Sequence, residues 1–424
     1  MLDIAFIRQH ADLVKDAARK KHMTVDVDAL LVLDEKRVAL QQEIDMLRQK
    51  QNTVSKEIPN ITDDAQKQEL LGQMKVVKQS LQEKEAQAKK VKEEWQILMY
   101  QIPNIPDLSV PEGKSDADNV EIRTWGNRPE FAFEPRDHVE IMKDLNMVDF
   151  ERGVKVHGFR GYFLMGAGAR LAYALWHYAQ EFFSERGFTP VLAPSIARPE
   201  HFYGTGHLPN EAEDIFVTQD GDYLTGTSEV SVMGFHADEI LDHSELPKKF
   251  IAFSSCYRRE AGSHGKDTKG LIRVHEFQKV EQVILCKASH EESVKWHEEI
   301  TQNSEAFMQS LGLHYHVVLN CGGDIGQGQV KKYDIEAWVP SQDTFRETHS
   351  SSYFHDFQTR RFNIRYRDKE GQVRFAHSLN NTAIATPRVL VPIVEQYQQN
   401  DGSVRVPEVL QKYVGIDVIK KKEE

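Results

Sequence analysis

YRREAGSHGKDTKGLIRVHEFQKVE, residues 257–281, carries two strand-like runs on either side of a glycine-rich loop. The apolar residues Phe250-Ile251-Ala252-Phe253 lead into it, and LIRVHEFQKVE leads out by alternation. Taken alone, Arg258, Arg259 and Glu260 fit an edge strand ending in a charged turn that faces water. Side chains two apart on a strand share a face, which groups Arg258 with Glu260, and Arg273 with His275, Phe277 and Glu281. Two neighbouring strands of this kind present guanidinium, carboxylate and an aromatic ring to one pocket. A guanidinium donates two parallel bonds to a phosphate and stays charged, and a phenyl face matches the flat face of a purine. Arg273 to Glu281 is eight strand steps, about 26 Å at 3.3 Å each, long for one small ligand. Either Arg273 belongs to the loop, or the cleft holds a nucleotide and a second substrate end to end.

Further strands are expected at 250–258, 271–285, 314–320, 334–339 and 361–367, with helices at 168–186 and 291–311. Adjacent strands with helices set between groups of them favour an α+β fold on an antiparallel sheet over a doubly wound one. Two other segments offer similar chemistry. LTGTSEV puts Thr227 and Glu229 on one face, a hydroxyl and a carboxylate able to hold an ammonium. NNTAIATPRVL reads as a helix start, with Thr386 as N-cap, Pro387 in first position and Arg388 on the opening turn. Each also fits an ordinary strand end or an ordinary capped helix.

Upstream the pattern changes period. Leu30, Leu33, Leu40, Ile44, Leu47, Val54 and Ile58 advance by threes and fours, with Arg37 and Gln51 in two seam positions. After the breaker IPNITDD a second seam runs Leu70, Met74, Val77, Leu81, Ala88, Val91, Trp95 and Leu98, interrupted by Lys84. Two heptad seams joined by a Pro-Asn turn predict an antiparallel helical hairpin. Each leg of about 45 Å exceeds the width of a small domain, so the hairpin is expected to project. Lys50, Lys56, Lys67, Lys75 and Lys78 lie toward its tip, interleaved with glutamates. A solvated face, a dimerisation element and a probe for a large partner all fit this charge pattern.

The 424 residues exceed one ordinary core. We expect an N-terminal domain at 1–108, its arm at about 30–100, and a second domain at 109–424. A net charge of −12 argues against coating nucleic acid by bulk electrostatics, while leaving room for a local basic strip. Cys256, Cys286 and Cys321 lack paired spacing, so neither a disulfide framework nor a structural zinc is expected. MLDIAFIRQHADLVKDAARKK meets charges before any apolar run forms, and no stretch approaches a membrane span of about 18 apolar residues. A cytoplasmic location is the default expectation.

The order of these segments resembles the class II aminoacyl-tRNA synthetases, and closely the bacterial-type seryl-tRNA synthetases, over essentially the whole chain. ERGFTPVLAPSI resembles motif 1, with Pro194 closing a long helix used in dimerisation. YRREAGSHGKDTKGLIRVHEFQKVE resembles motif 2 and LNNTAIATPR motif 3, while FYGTGHLPNEAEDIF, LTGTSE, DFQTRR and DGSVRVPEVLQKYVG add family-like wording. The hairpin resembles the family's tRNA-binding arm, which implies that its five lysines meet tRNA. The resemblance implies Arg258 on the α-phosphate of ATP, Glu260 at the adenine end, and Phe277 stacked on the purine. It implies Arg273 and Arg388 on the outer phosphates, with Glu347 and Ser350 holding Mg²⁺ against them. Thr227, Glu229, Glu281 and Thr382 would bind serine, beside Arg258. The implied activity is that of a homodimeric ligase that joins serine to tRNA(Ser) through seryl-adenylate; charging of tRNA(Sec) stays open. The rivals are a class II synthetase for another small amino acid and a non-catalytic tRNA- or partner-binding relative.

Three departures mark this sequence. RETHSSSY stands where relatives often have Arg-Glu-Ile-Ser-Ser-Cys-Ser-Asn, which places Thr348, His349 and Tyr353 in unfamiliar positions. Ala383 and Ala385 replace motif 3 glycines. Pro392 is expected to kink or locally unwind the helix that follows.

Overall fold

The computed structural model describes residues 1–262, 265 and 267–421. It divides into two compact units, one of Asp3–Arg19 and Met23–Ile102, the other of Met1–Leu2, Lys20–His22 and Pro103–Glu424. No helix among the described residues is long and apolar enough to cross a membrane.

The first unit contains the helical hairpin. Its legs are Val27–Glu57 and Asp64–Gln101, of 31 and 38 residues, about 47 and 57 Å long at 1.5 Å rise per residue. Asp26 and Asp63 cap the two starts by accepting backbone N–H bonds, which satisfies donors that the first turn leaves open. Leu30, Leu40, Ile44 and Val54 are buried, as are Val77, Leu81, Val91 and Met99 on the other leg. Two of the polar seam positions, Arg37 and Lys84, are paired. Arg37 donates to the buried Asp34 at 2.8 Å and lies 5.0 Å from the Trp95 ring centroid. Lys84 pairs with Glu43, and Arg48 with Glu85.

In the second unit, eight strands form one sheet: β1 Val120–Trp125, β2 Thr189–Leu192, β3 Lys248–Tyr257, β4 Glu276–Cys286, β5 Tyr315–Leu319, β6 Lys331–Val339, β7 Thr344–His355 and β8 His377–Thr386. Their order is β1-β5-β6-β7-β8-β4-β3-β2. Every pair is antiparallel except the last, β3 with β2. Helices Gly166–Ser184 and His290–Ser310 pack on the sheet through Leu171, Leu175, Phe183, Ile300 and Phe307, against Val280, Ile284, Ile335 and Ile384. Side chains of β4 divide by parity. Gln282 bonds the Ile300 carbonyl and the Ser304 hydroxyl at 3.0 Å on the helical side, which leaves Phe277, Lys279 and Glu281 for the opposite face.

Several local expectations change. The second strand of the 257–281 stretch starts at Glu276 rather than at 271, because Leu271–His275 makes no ladder and Arg258 N–H already bonds the His275 carbonyl. Arg258 and Glu260 are likewise not strand neighbours: β3 ends at Tyr257, and Glu260 has a left-handed φ of 56°. Residues 263, 264 and 266 of the loop lie outside the described residues. The segment expected as a strand at 361–367 is a helix to Phe362 and a strand only from Arg365. Glu229 opens a helix, Glu229–Phe235, instead of extending a strand. Thr386 ends β8 rather than capping a helix, and the next helix begins at Leu390. Pro392 therefore falls in a first turn, where its missing N–H costs no internal bond. Pro194 follows β2, whereas the long helix has already ended at Ser184.

Two buried histidines predict acid sensitivity. Burial pushes His297 down to about 3 and His349 down to about 4 from 6.5. The unfolded chain takes up both protons below pH 6.5 and the folded chain does not, so their stabilisation is complete above pH 6.5 and shrinks as pH falls toward 4. The slope is about 1.4 kcal/mol per pH unit for each. Burial raises the Asp334 carboxyl above its usual range against the pull of Lys332, and this acts in the opposite sense, while His355, also lowered to about 4 by burial, adds to the acid sensitivity. A lower urea midpoint at pH 5 than at pH 7 is expected, with a smaller loss in His349→Gln. Equal midpoints at both pH values would contradict this.

Candidate active site

The open face of the sheet carries a cavity of about 190 Å³ lined by Thr227, Glu229, Arg258, Glu260, Phe277, Glu281, Glu347, Ser350, Thr382 and Arg388. Strand irregularities bring these residues together. Glu347 and Ser350 are three apart and would point to opposite faces of a regular strand. The ladder pairs His349 with Ile335 and Glu347 with Glu336, leaving Thr348 as an extra residue, and this bulge turns Glu347 onto the face of Ser350. A second bulge lies at Ala383, between Thr382 and Ile384. It puts Asn380, Thr382 and Ala385 on the cavity side. His349 links the two bulges from the buried side, donating from Nε2 to the Ala383 carbonyl at 3.0 Å. The unfamiliar histidine thus supports the cavity floor, while unfamiliar Tyr353 donates to Asp107 at 3.0 Å away from the cavity.

Arg258 sits 5.5 Å from the Phe277 ring centroid and donates to the Gly226 carbonyl at 3.4 Å. A Cβ at Gly226 would approach the Arg258 side chain to 3.3 Å, so the small residue allows that contact. Glu260 is held by Arg273 and stands 3.8 Å from Arg160. At the other end Arg388 bonds the Ile272 carbonyl at 3.0 Å and approaches the Glu347 carboxylate at 3.5 Å. Arg388, then Lys332, Arg258 and Arg273, hold Glu347 below the usual carboxylate range.

The inner end is built from carboxylates. Glu281 accepts from the Thr227 hydroxyl at 3.2 Å and pairs with Lys279, and Glu229 accepts from Gln358 at 2.6 Å. Burial raises Glu229 above the usual carboxylate range. Hence one end offers an aromatic face and guanidinium groups, and the other a small, anionic, hydroxyl-accepting recess.

Arg273 is placed differently from the rest. It lines an adjoining cavity of about 450 Å³ that shares Ile272, Glu347 and Arg388 with the first. Its position before β4 answers the span of about 26 Å that a continuous strand implies: Arg273 belongs to the loop side. Sequence reasoning missed His207, Lys279, Gln329 and Asn380 in the cavity wall. Lys279 shares parity with Phe277 and Glu281 and was available to the same argument. Asn380 lies two residues from Thr382 on the same unbroken stretch of strand and was open to the same argument, whereas no pattern marked Gln329.

Comparisons with known proteins follow the same division. Residues 1–106 match the family model "Seryl-tRNA synthetase N-terminal domain", and residues 217–397 match "tRNA synthetase class II core domain (G, H, P, S and T)". The serine–tRNA ligase of Deinococcus radiodurans is 44% identical over 98% of both chains. That of Thermodesulfovibrio yellowstonii is 42% identical over 99% of this chain and 100% of its own. The Pyrococcus horikoshii seryl-tRNA synthetase complexed with ATP superposes with a TM-score of 0.91 at 38% identity, covering 100% of both chains. The cytoplasmic serine–tRNA ligase of Naegleria fowleri in complex with AMP gives 0.86 at 34%, over 100% of this chain and 99% of its own.

Proposed function

The chain belongs to the seryl-tRNA synthetase family of class II aminoacyl-tRNA ligases, and from that premise we propose how its residues divide the work of joining serine to tRNA(Ser) at the expense of ATP. The observation that carries the reading is the two-ended cavity, with Arg258 and Phe277 at one end and Thr227, Glu229, Glu281 and Thr382 at the other. Phe277 stacks on the purine, Glu260 receives the adenine end, and Arg258 donates to the α-phosphate. Arg273 and Arg388 reach the outer phosphates. Glu229 and Thr227 hold the α-ammonium of serine, Glu281 accepts its hydroxyl, and Thr382 closes the recess. A serine carboxylate oxygen then attacks the α-phosphorus as the bond to the β-phosphate oxygen breaks, giving seryl-adenylate and pyrophosphate. In the second step the terminal adenosine hydroxyl of tRNA attacks the seryl carbonyl, and AMP leaves. Positioning and charge supply most of the rate, and no protein nucleophile is needed.

Glu347 and Ser350 fit Mg²⁺. Both are hard oxygen donors on one face because of the Thr348 bulge, and Mg²⁺ commonly takes one or two protein oxygens with phosphate oxygens and water completing the shell. When bound, the ion would neutralise phosphate charge; loss of exchange on chelation tests its need. The exposed apolar side chains of Tyr173, Leu192 and Ile196, at 64%, 83% and 55%, support a homodimer, since exposed apolar surface is what association buries. Sedimentation at the mass of one chain would contradict it. The arm lysines Lys50, Lys56, Lys67, Lys75 and Lys78 meet tRNA phosphates; between 50 and 78 the acidic residues are Glu57, Asp63, Asp64 and Glu69, which leaves a slightly basic tip on an acidic chain. We also place the protein in the cytoplasm, with fractionation of source cells as the test. ATP–pyrophosphate exchange across a panel of small amino acids tests the substrate assignment. Serine alone is expected to support it, and equal exchange with alanine, glycine or threonine would overturn the assignment.

A further inference from the structure

Lys279 has no role in the scheme above, yet it lies in the wall of the serine recess and is only 6% exposed. It stands on β4 two residues from Glu281, on the same face, and its ammonium pairs with Glu281 Oε2. The Thr227 hydroxyl donates to that same oxygen at 3.2 Å, so both contacts fall on Oε2 and Oε1 is left for a ligand. Glu229 is arranged differently: Gln358, an uncharged amide, donates to its Oε1 at 2.6 Å. Two buried carboxylates thus share one recess, one in direct ion pair with a protein ammonium and the other bonded only by an uncharged amide side chain. A buried ion pair contributes little to folding, because desolvating both charges offsets their attraction. A stability role therefore gives no account of it.

We propose that Lys279 is the specificity-setting residue of the recess: it fixes and neutralises Glu281, so that Glu281 Oε1 reads the substrate hydroxyl while only Glu229 is left to attract the α-ammonium. Without Lys279 both carboxylates compete for the ammonium, and the hydroxyl loses its reader. Burial raises Glu229, in keeping with a charge that awaits a cation. Of the other basic groups in the wall, Arg258 and Arg388 serve the phosphates, while His207, bonded through Nδ1 to Thr205 at 2.7 Å, favours the charged form of Glu229 without pairing with it.

This inference rests on the reading of Glu281 as hydroxyl acceptor, so the experiment measures Lys279→Met and Glu281→Gln side by side in serine- and alanine-dependent pyrophosphate exchange. For Lys279→Met the serine KM should rise at least about tenfold and the serine-over-alanine ratio fall at least about tenfold, the scale expected when a buried polar reader is disturbed. The ATP KM should stay within about twofold, since the nucleotide end is untouched, and Lys279→Arg should restore part of the ratio. If Glu281→Gln keeps the parent ratio, the hydroxyl is read elsewhere and the underlying reading fails. If Glu281→Gln narrows the ratio and Lys279→Met keeps it, the Lys279 assignment alone is overturned. A rise in ATP KM with serine KM unchanged would overturn it too, by moving Lys279 to the nucleotide. Should Lys279→Met fail to bind ATP, Lys279→Gln, also uncharged, replaces it with the same outcomes.

Discussion

Arg258→Ala should lower serine-dependent pyrophosphate exchange by a factor of about 10² to 10³, the cost of removing one preorganised donor from a site of developing charge. The fold should survive. Arg258 is half-buried at the mouth of the cavity, its side-chain contacts being a 3.4 Å bond to Gly226 and the edge of the Phe277 interaction. Arg258→Lys should recover only part of the rate, because an ammonium is a point charge without the planar fork. The effect should fall mainly on kcat, since the bond to the α-phosphate tightens as charge builds on the oxygens in flight. Exchange near the parent rate in Arg258→Ala would move the α-phosphate away from this strand end and dissolve the nucleotide assignment of the cavity.

Replacing the hairpin between Leu30 and Leu98 with a short turn should leave adenylate formation near the parent rate and cut tRNA charging by at least about a hundredfold, in line with the loss of several phosphate contacts. The cavity residues all lie in the second unit, from His207 to Arg388, so chemistry on serine and ATP has no need of the arm. Parent tRNA binding should weaken steeply with added salt, as counterion release demands, and the slope should shrink when Lys50, Lys56 and Lys75 are changed to Gln. A truncated protein that charged tRNA as well as the parent would reduce the arm to a spacer.

The sequence made some of this legible and concealed the rest for identifiable reasons. Heptad spacing survives polar interruptions because a helix surface can pair them, as Arg37 with Asp34 and Lys84 with Glu43 show, and the hairpin was therefore readable in full. Period-two alternation located β3 and most of β4, which brought out Arg258, Phe277 and Glu281. It failed wherever the backbone leaves the ladder. The bulges at Thr348 and Ala383 invert parity, so Glu347 with Ser350 rested on resemblance alone, while Asn380 shares the face of Thr382 and was open to alternation. Glu260 depends on a left-handed turn, and Arg273 on an irregular segment, neither of which alternation describes. Apolar content likewise misled at 361–367, where a short helix and a short strand meet at Asn363, another left-handed residue.

The most direct measurement is the structure of the protein bound to a non-hydrolysable seryl-adenylate analogue. The account predicts the adenine against Phe277, the phosphate mimic on Arg258, the ammonium on Glu229 and the seryl hydroxyl within hydrogen-bond distance of Glu281 Oε1. An analogue seated outside this cavity, or one whose hydroxyl turned away from Glu281 toward another group, would contradict it.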